Sequence, residues 1–131
     1  MAKYPEFLID HFKNPRNMGE IFDPDGIGTV GNGQCGDIMQ MFIKVNENKI
    51  IEVKFKAFGC GATIATSSIL TERVKGATLD EALRISGRTL REILPQLPRE
   101  KVPCFILAMN ALKIAIEDYR CRDSQFKGGT L

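Results

Sequence analysis

Two strand-like runs joined by a short turn constrain the fold of this chain most strongly. Apolar side chains occupy every second position in residues 38–45 and again in residues 50–58, and this period is typical of strands with one buried face. Between them, Asn46-Glu47-Asn48 is turn-like. We therefore predict an antiparallel hairpin. On its second strand, the side chains predicted to be buried are Ile51, Val53, Phe55 and Ala57.

The register of this hairpin decides which residues meet at its open end. If Ile43 pairs with Ile51, Cys35 lies opposite Gly59, whereas a tighter two-residue turn places it opposite Cys60. Cys35 and Cys60 are neighbours in either register.

Helical patterns follow and precede the hairpin. Residues 4–12, 62–74 and 104–119 carry apolar side chains at helical spacing, and Thr78 with Glu81 forms a capping box that starts a further helix. We expect Gly87 to divide that helix from a short one after it. A short additional strand is predicted over residues 27–30.

Length and composition indicate a single domain over residues 1–131, with 120–131 as a flexible tail. The four cysteines lack the density of a disulfide scaffold, and no signal peptide or membrane-spanning run is recognisable. We expect a cytoplasmic protein without a membrane partner. The net charge of +2, with both signs intermingled, argues against a nucleic-acid partner.

Three cysteines lie at predicted element ends, where a backbone can wrap around a bulky ligand. Cys60 opens one helix and Cys104, after Pro103, opens another, so helix N-termini should favour both thiolates. Asp37 follows Cys35 by two residues and shares its side of an extended segment. Three thiolates and one carboxylate suffice for tetrahedral zinc or for the four terminal positions of a two-iron, two-sulfur cluster.

Three other residues are weaker candidates. Cys121 follows Cys104 by 17 residues, about 25 Å along a continuous helix, so it cannot bind the same ion within one chain. His11, the single histidine, is predicted to pack or to form hydrogen bonds rather than to bind metal. Lys101 could approach a thiolate as an accessory group, or could be an ordinary exposed lysine.

Four segments in order carry a family resemblance: residues 10–17 (DHFKNPRN), residues 35–37 (CGD), residues 58–62 (FGCGA) with Ser67-Ser68, and Cys104 with the helix after it. Together they resemble the IscU family, the scaffold proteins of iron–sulfur cluster assembly that also form the N-terminal domain of NifU. The resemblance covers almost the whole chain. The lack of an insertion between Leu94 and Lys101 is closer to IscU than to SufU proteins.

The resemblance implies an α+β fold of the SufE/NifU-like type, a three-stranded antiparallel sheet covered by helices. It implies that Cys35, Asp37, Cys60 and Cys104 hold the nascent [2Fe-2S] cluster or zinc, and that Cys104 receives sulfur as a persulfide. The implied partners are a cysteine desulfurase and apo iron–sulfur proteins. Such a chain carries iron and sulfur and is not an enzyme.

Two positions depart from the family pattern. Pro103 stands where the family usually has a histidine, so the fourth ligand must come from Asp37 or from a second subunit. A homodimer bridged by the cluster is therefore an open alternative. Residues 97–101 read Leu-Pro-Arg-Glu-Lys instead of Leu-Pro-Pro-Val-Lys, the Hsp70 recognition site of familiar members. A dedicated Hsp70 chaperone is therefore not predicted.

Three functions are compatible with these residues. The leading one is a scaffold that assembles a [2Fe-2S] cluster on Cys35, Asp37, Cys60 and Cys104. The second is a zinc-stabilised protein in which Cys104 passes persulfide sulfur onward without a persistent cluster. The third, a zinc-binding interaction module, is disfavoured because closed zinc sites usually use close Cys-x-x-Cys pairs, which this chain lacks.

Overall fold

A computed structural model describes residues 4–32 and 36–128, and within them it contains a three-stranded antiparallel sheet and four α-helices. The elements in chain order are α1 (Glu6–Lys13), β1 (Gly26–Asn32), β2 (Asp37–Asn46), β3 (Lys49–Phe58), α2 (Gly61–Val74), α3 (Leu79–Ile93) and α4 (Val102–Gly128). The strands lie in the order β1-β2-β3, which confirms the predicted α+β class. In these ranges no helix has the length and apolar character needed to cross a membrane.

The turn between β2 and β3 is the tighter of the two that the sequence allows. Glu47 and Asn48 both have positive φ, 52° and 64°, the conformation of the two-residue turns that fit the twist of a hairpin. Next to the turn, Val45 pairs with Ile50, and Ile50 is completely buried. This part of the ladder therefore has the register predicted for the tighter two-residue turn.

Beyond the turn, one extra residue changes the register again. Lys44 pairs with Glu52, so Ile51 is left without a partner as a bulge, and from there Ile43 pairs with Val53. The predicted pairing of Ile43 with Ile51 is therefore wrong. Ile51 is also 52% exposed, so the predicted buried face is wrong at this one position.

The inner face of the sheet carries the core. Met39, Met41 and Phe55 are fully buried there, and α2 and α4 pack against the strands. The backbone of α4 comes very close to β1, since a Cβ at Gly28 would lie 2.0 Å from the carbonyl oxygen of Ala111. Only glycine allows this approach, which fixes α4 and its first turn relative to the sheet.

The helices follow the sequence signals with one exception. Thr78 Oγ1 accepts a hydrogen bond from the Glu81 backbone N–H at 3.1 Å, and the Glu81 carboxylate accepts one from the Thr78 N–H at 3.0 Å, so the predicted capping box is present. The expected division at Gly87 is wrong: α3 is continuous, because one interior glycine costs a helix only about 1 kcal/mol. Residues 120–128 of the predicted tail lie in the last turns of α4; their flexibility stays a prediction.

Candidate metal centre

Three metal-ligating side chains meet where β2, α2 and α4 begin. Asp37 is the first residue of β2, Cys60 is the N-cap of α2, and Cys104 lies in the first turn of α4. One ligand atom from each lies within 4.8 Å of the others, the single such group of three or more among the described residues. Three of the four predicted ligands thus come together. Cys35, the fourth, lies outside the described residues.

The two sulfur atoms are placed to share one metal ion. Cys60 Sγ and Cys104 Sγ lie 3.6 Å apart, and both thiols are free. Two thiolates bound to one tetrahedral ion at about 2.3 Å would lie about 3.8 Å from each other. The observed distance therefore requires almost no rearrangement of either cysteine.

The carboxylate of Asp37 is held in place by contacts with two other residues. It is buried, at 7% exposure. The Thr63 hydroxyl donates a hydrogen bond to Asp37 Oδ2 at 3.1 Å. On its other side lies Gly59, where a Cβ would be only 2.5 Å from Asp37 Oδ1. A hydrogen bond and a close backbone contact thus orient the carboxylate toward the sulfurs.

The two thiols have opposite pKa shifts. Burial raises the pKa of Cys60, but hydrogen bonds from the hydroxyl and amide of Thr63, from Cys104 and from the Ala62 amide outweigh it, so the pKa lies below its usual value. Burial raises the pKa of Cys104 to about 11; the opposing hydrogen bond with Thr63 is too weak to offset it, and Cys60 and Asp37 add to the rise. The prediction that the helix N-terminus favours a Cys104 thiolate is therefore wrong in the metal-free chain.

A surface depression of about 410 Å³ gives access to all three groups. Lys101, the predicted accessory residue, lines it, and the negative charge of Cys60 is the main cause that raises the pKa of Lys101. A fixed positive charge thus lies beside the sulfurs. Pro103 also lines the depression and offers no side-chain donor.

The remaining polar candidates lie elsewhere. His11 Nδ1 is 2.7 Å from Ser68 Oγ, and His11 Nε2 is 3.5 Å from a Glu72 carboxylate oxygen. These contacts join α1 to α2, as the packing role predicted for His11 requires. Cys121 is exposed on α4, far along the helix from Cys104.

Thr63 is the residue of this centre that the sequence did not reveal. Its side chain is completely buried, and its Oγ1 lies 3.5 Å from Cys60 Sγ as well as 3.1 Å from Asp37 Oδ2. The signal that could have found it is spacing: a hydroxyl three residues after the N-cap lies on the same side of the helix as the N-cap side chain.

Comparison with known sequences identifies the family of this arrangement. The family model described as the NifU-like N terminal domain matches residues 3–125. This chain belongs to that family. The predicted family is thus confirmed.

Relatives of this NifU-like domain share about half of its residues. It is 53% identical over 116 residues to the iron-sulfur cluster assembly scaffold protein IscU 1 of Archaeoglobus fulgidus, covering 88% of this chain and 76% of that one. It is 50% identical to the scaffold protein IscU of Haemophilus influenzae (91% and 97% covered) and 49% identical to that of Escherichia coli K12 (91% and 95% covered).

Solved structures show the same fold. A crystal structure of a Fervidobacterium islandicum AW-1 protein matches with a TM-score of 0.74 at 26% identity, covering 86% of this chain and 96% of that one. The N-terminal part of a NifU-like protein from Brucella abortus matches with a TM-score of 0.72 at 19% identity, covering 88% and 93%. The NifU-like architecture predicted from the sequence is thus confirmed.

Proposed function

We propose that this NifU-like domain is a scaffold on which an iron–sulfur cluster is built as cargo and then passed on. The observation that carries the proposal is the meeting of Asp37, Cys60 and Cys104 at an accessible depression. Relatives named as assembly scaffolds, about 50% identical over most of the chain, support the same function.

The proposed cargo is a [2Fe-2S] cluster held by Cys35, Asp37, Cys60 and Cys104. Thiolates are the usual ligands of such clusters, and a carboxylate oxygen is a harder donor that suits them less well. The Asp37 ligand should therefore be the weakest of the four. A cluster with one weak ligand can leave for an apo iron–sulfur protein, which a carrier requires.

Cys104 is the proposed sulfur acceptor, and a cysteine desulfurase is the proposed donor. The Cys104 thiolate attacks the outer sulfur of the desulfurase persulfide; the S–S bond breaks, and its electron pair leaves on the desulfurase cysteine. Cys104 must first lose its proton, and Cys60 Sγ, 3.6 Å away, can accept it. The positive charge of Lys101 offsets the charge that then builds up at the sulfurs. Reducing the bound sulfur to sulfide takes two more electrons from an external reductant.

A second candidate is a zinc-stabilised protein that passes persulfide sulfur onward. The 3.6 Å separation of the sulfurs favours it, because that spacing also suits one tetrahedral zinc ion. The two candidates differ in whether iron is incorporated.

Anaerobic reconstitution with iron, cysteine and a desulfurase tests the leading proposal. We expect a coloured protein with the absorption and Mössbauer signature of a [2Fe-2S] cluster. The variants C60S and C104S should lose the colour, whereas C121S, which removes an exposed thiol outside the site, should keep it. A colourless wild-type product with one equivalent of zinc would favour the zinc-stabilised carrier instead.

Size-exclusion chromatography with and without the cluster tests whether two subunits share it. Because Pro103 supplies no donor, the alternative to four ligands from one chain is a cluster bridged between two subunits, and that form would elute as a dimer. An unchanged monomeric mass would count against a bridging cluster.

A further inference from the structure

The buried hydroxyl groups of α2 differ in what they bond. The hydroxyl groups of Thr66, Ser67 and Thr71 donate to backbone carbonyls of their own helix, the usual way to satisfy a buried hydroxyl in a helix. Ser68 and Thr63 instead bond outside the helix: Ser68 Oγ lies 2.7 Å from His11 Nδ1 of α1, and Thr63 donates to the Asp37 carboxylate at the start of β2. Of these two bonds, the one made by Thr63 lies at the candidate metal centre.

Besides its weak contact with Cys104, the Thr63 hydroxyl has two acceptors within hydrogen-bond distance for its single proton. Asp37 Oδ2 is 3.1 Å away and Cys60 Sγ is 3.5 Å away. Hydrogen bonds to a charged carboxylate are shorter and stronger than those between neutral groups. Since Thr63 is completely buried, water does not compete for the proton. The Thr63–Asp37 hydrogen bond is therefore the stronger of the two contacts.

This bond and the Gly59 backbone act on opposite oxygens of one carboxylate. Thr63 binds Oδ2, while Oδ1 lies against Gly59. With both oxygens restrained, the plane of the carboxylate is fixed relative to Cys60 Sγ and Cys104 Sγ. Partners that orient metal ligands in this way usually change metal affinity by about 10- to 100-fold when they are removed.

We propose that Thr63 is a positioning residue: its hydroxyl orients the Asp37 carboxylate for binding the metal cargo, without touching the metal. The proposal rests on the metal-binding part of the proposed function. It concerns the affinity for the ion itself, so it can be tested without a desulfurase or a complete cluster.

Co²⁺ and Zn²⁺ binding by the purified full chain is the measurement. T63V removes the hydroxyl at nearly constant volume, and T63S restores it. T66V is the matched control, because Thr66 is equally buried on the same helix but donates to the Ala62 carbonyl. We expect T63V to bind both ions about 10-fold more weakly and to shift the Co²⁺ absorption bands. T63S and T66V should stay within about threefold of wild type, and circular dichroism should show all three variants folded.

The same substitution in a chain without the carboxylate separates positioning from other roles. In D37A, T63V should change affinity by less than about twofold, because no carboxylate remains to orient. Wild-type affinity in T63V, or a T63S variant as weak as T63V, would overturn the proposal. A full loss that persists in D37A would overturn it as well, since Thr63 would then act through Cys60 or on the ion itself rather than through Asp37. If wild type binds neither ion, the ligand set and the role of Thr63 both fall; if it binds them but builds no cluster, only the scaffold function fails.

Discussion

The substitution Gly59→Ala adds a methyl group where the Asp37 carboxylate already lies. The new Cβ would be 2.5 Å from Asp37 Oδ1 and 2.7 Å from its Cγ, whereas Cβ contacts under 3.0 Å are essentially never seen. The carboxylate must therefore shift by about 0.5 Å or more. Functional groups have to be held to within about 0.5 Å of their productive position, so this shift is large enough to impair metal binding. The φ of Gly59 lies outside the left-handed region, so alanine meets no backbone strain. We expect Zn²⁺ affinity to fall about 10- to 100-fold and stability to fall by about 1–3 kcal/mol from overpacking.

Competition titrations with a zinc chelator and thermal unfolding give these two quantities. Gly87→Ala is the matched control: its Cβ would meet nothing within 4 Å, and in the middle of α3 it should raise stability by about 0.5–1 kcal/mol without changing zinc affinity. In the Asp37→Ala background the contacts with Oδ1 and Cγ are gone and only the 3.2 Å contact with the Cβ of residue 37 remains, so Gly59→Ala should cost much less stability there. Unchanged affinity in the single variant, or an undiminished stability loss in that background, would refute the reasoning.

Three further outcomes are expected. Asp37→Ala should slow cluster transfer to an apo-acceptor by about 10-fold, because it removes the weak ligand that lets the cluster leave. Equal transfer rates in the variant and wild type would contradict this role of Asp37. In the metal-free protein at pH 8, iodoacetamide should modify Cys60 before Cys104, because a pKa of about 11 leaves Cys104 with only about 0.1% thiolate. Modification of Cys104 should rise as pH increases. Peptide mass spectrometry that finds Cys104 modified first would contradict this order. Gly28→Ala should prevent folding at 37 °C, since its methyl group would overlap the Ala111 carbonyl of α4; a cooperative thermal transition near that of wild type would show that α4 can move.

Local signals in the sequence predicted most of the fold. Alternation defined the two strands, and Thr78 with Glu81 defined the start of α3, because each depends only on residues near in sequence. The register could not be read in this way. The bulge at Ile51 arises from how the strands twist and pack, and an isoleucine in a strand gives no sign of it.

In the candidate site, too, features set by local sequence were predictable and features set by tertiary packing were not. Asp37, Cys60 and Cys104 were recognisable because thiolates and carboxylates have a distinctive chemistry. Thr63 was not, because threonine is common in helices and its role depends on which strand end faces it. The pKa of Cys104 was also missed, since burial, a tertiary property, opposes the helix N-terminus that the sequence revealed.

The bulge at Ile51 acts at a distance on the chemistry of this protein. If Ile51 paired with Lys44 instead of bulging out, the tight-turn register would continue, and Phe58 would face Asp37 in place of Gly59. An aromatic ring would then fill the space that the carboxylate needs. The bulge, at the far end of the hairpin from the site, thus decides which residue lies opposite the Asp37 ligand. This bulge is as much a part of the metal site as the cysteines are.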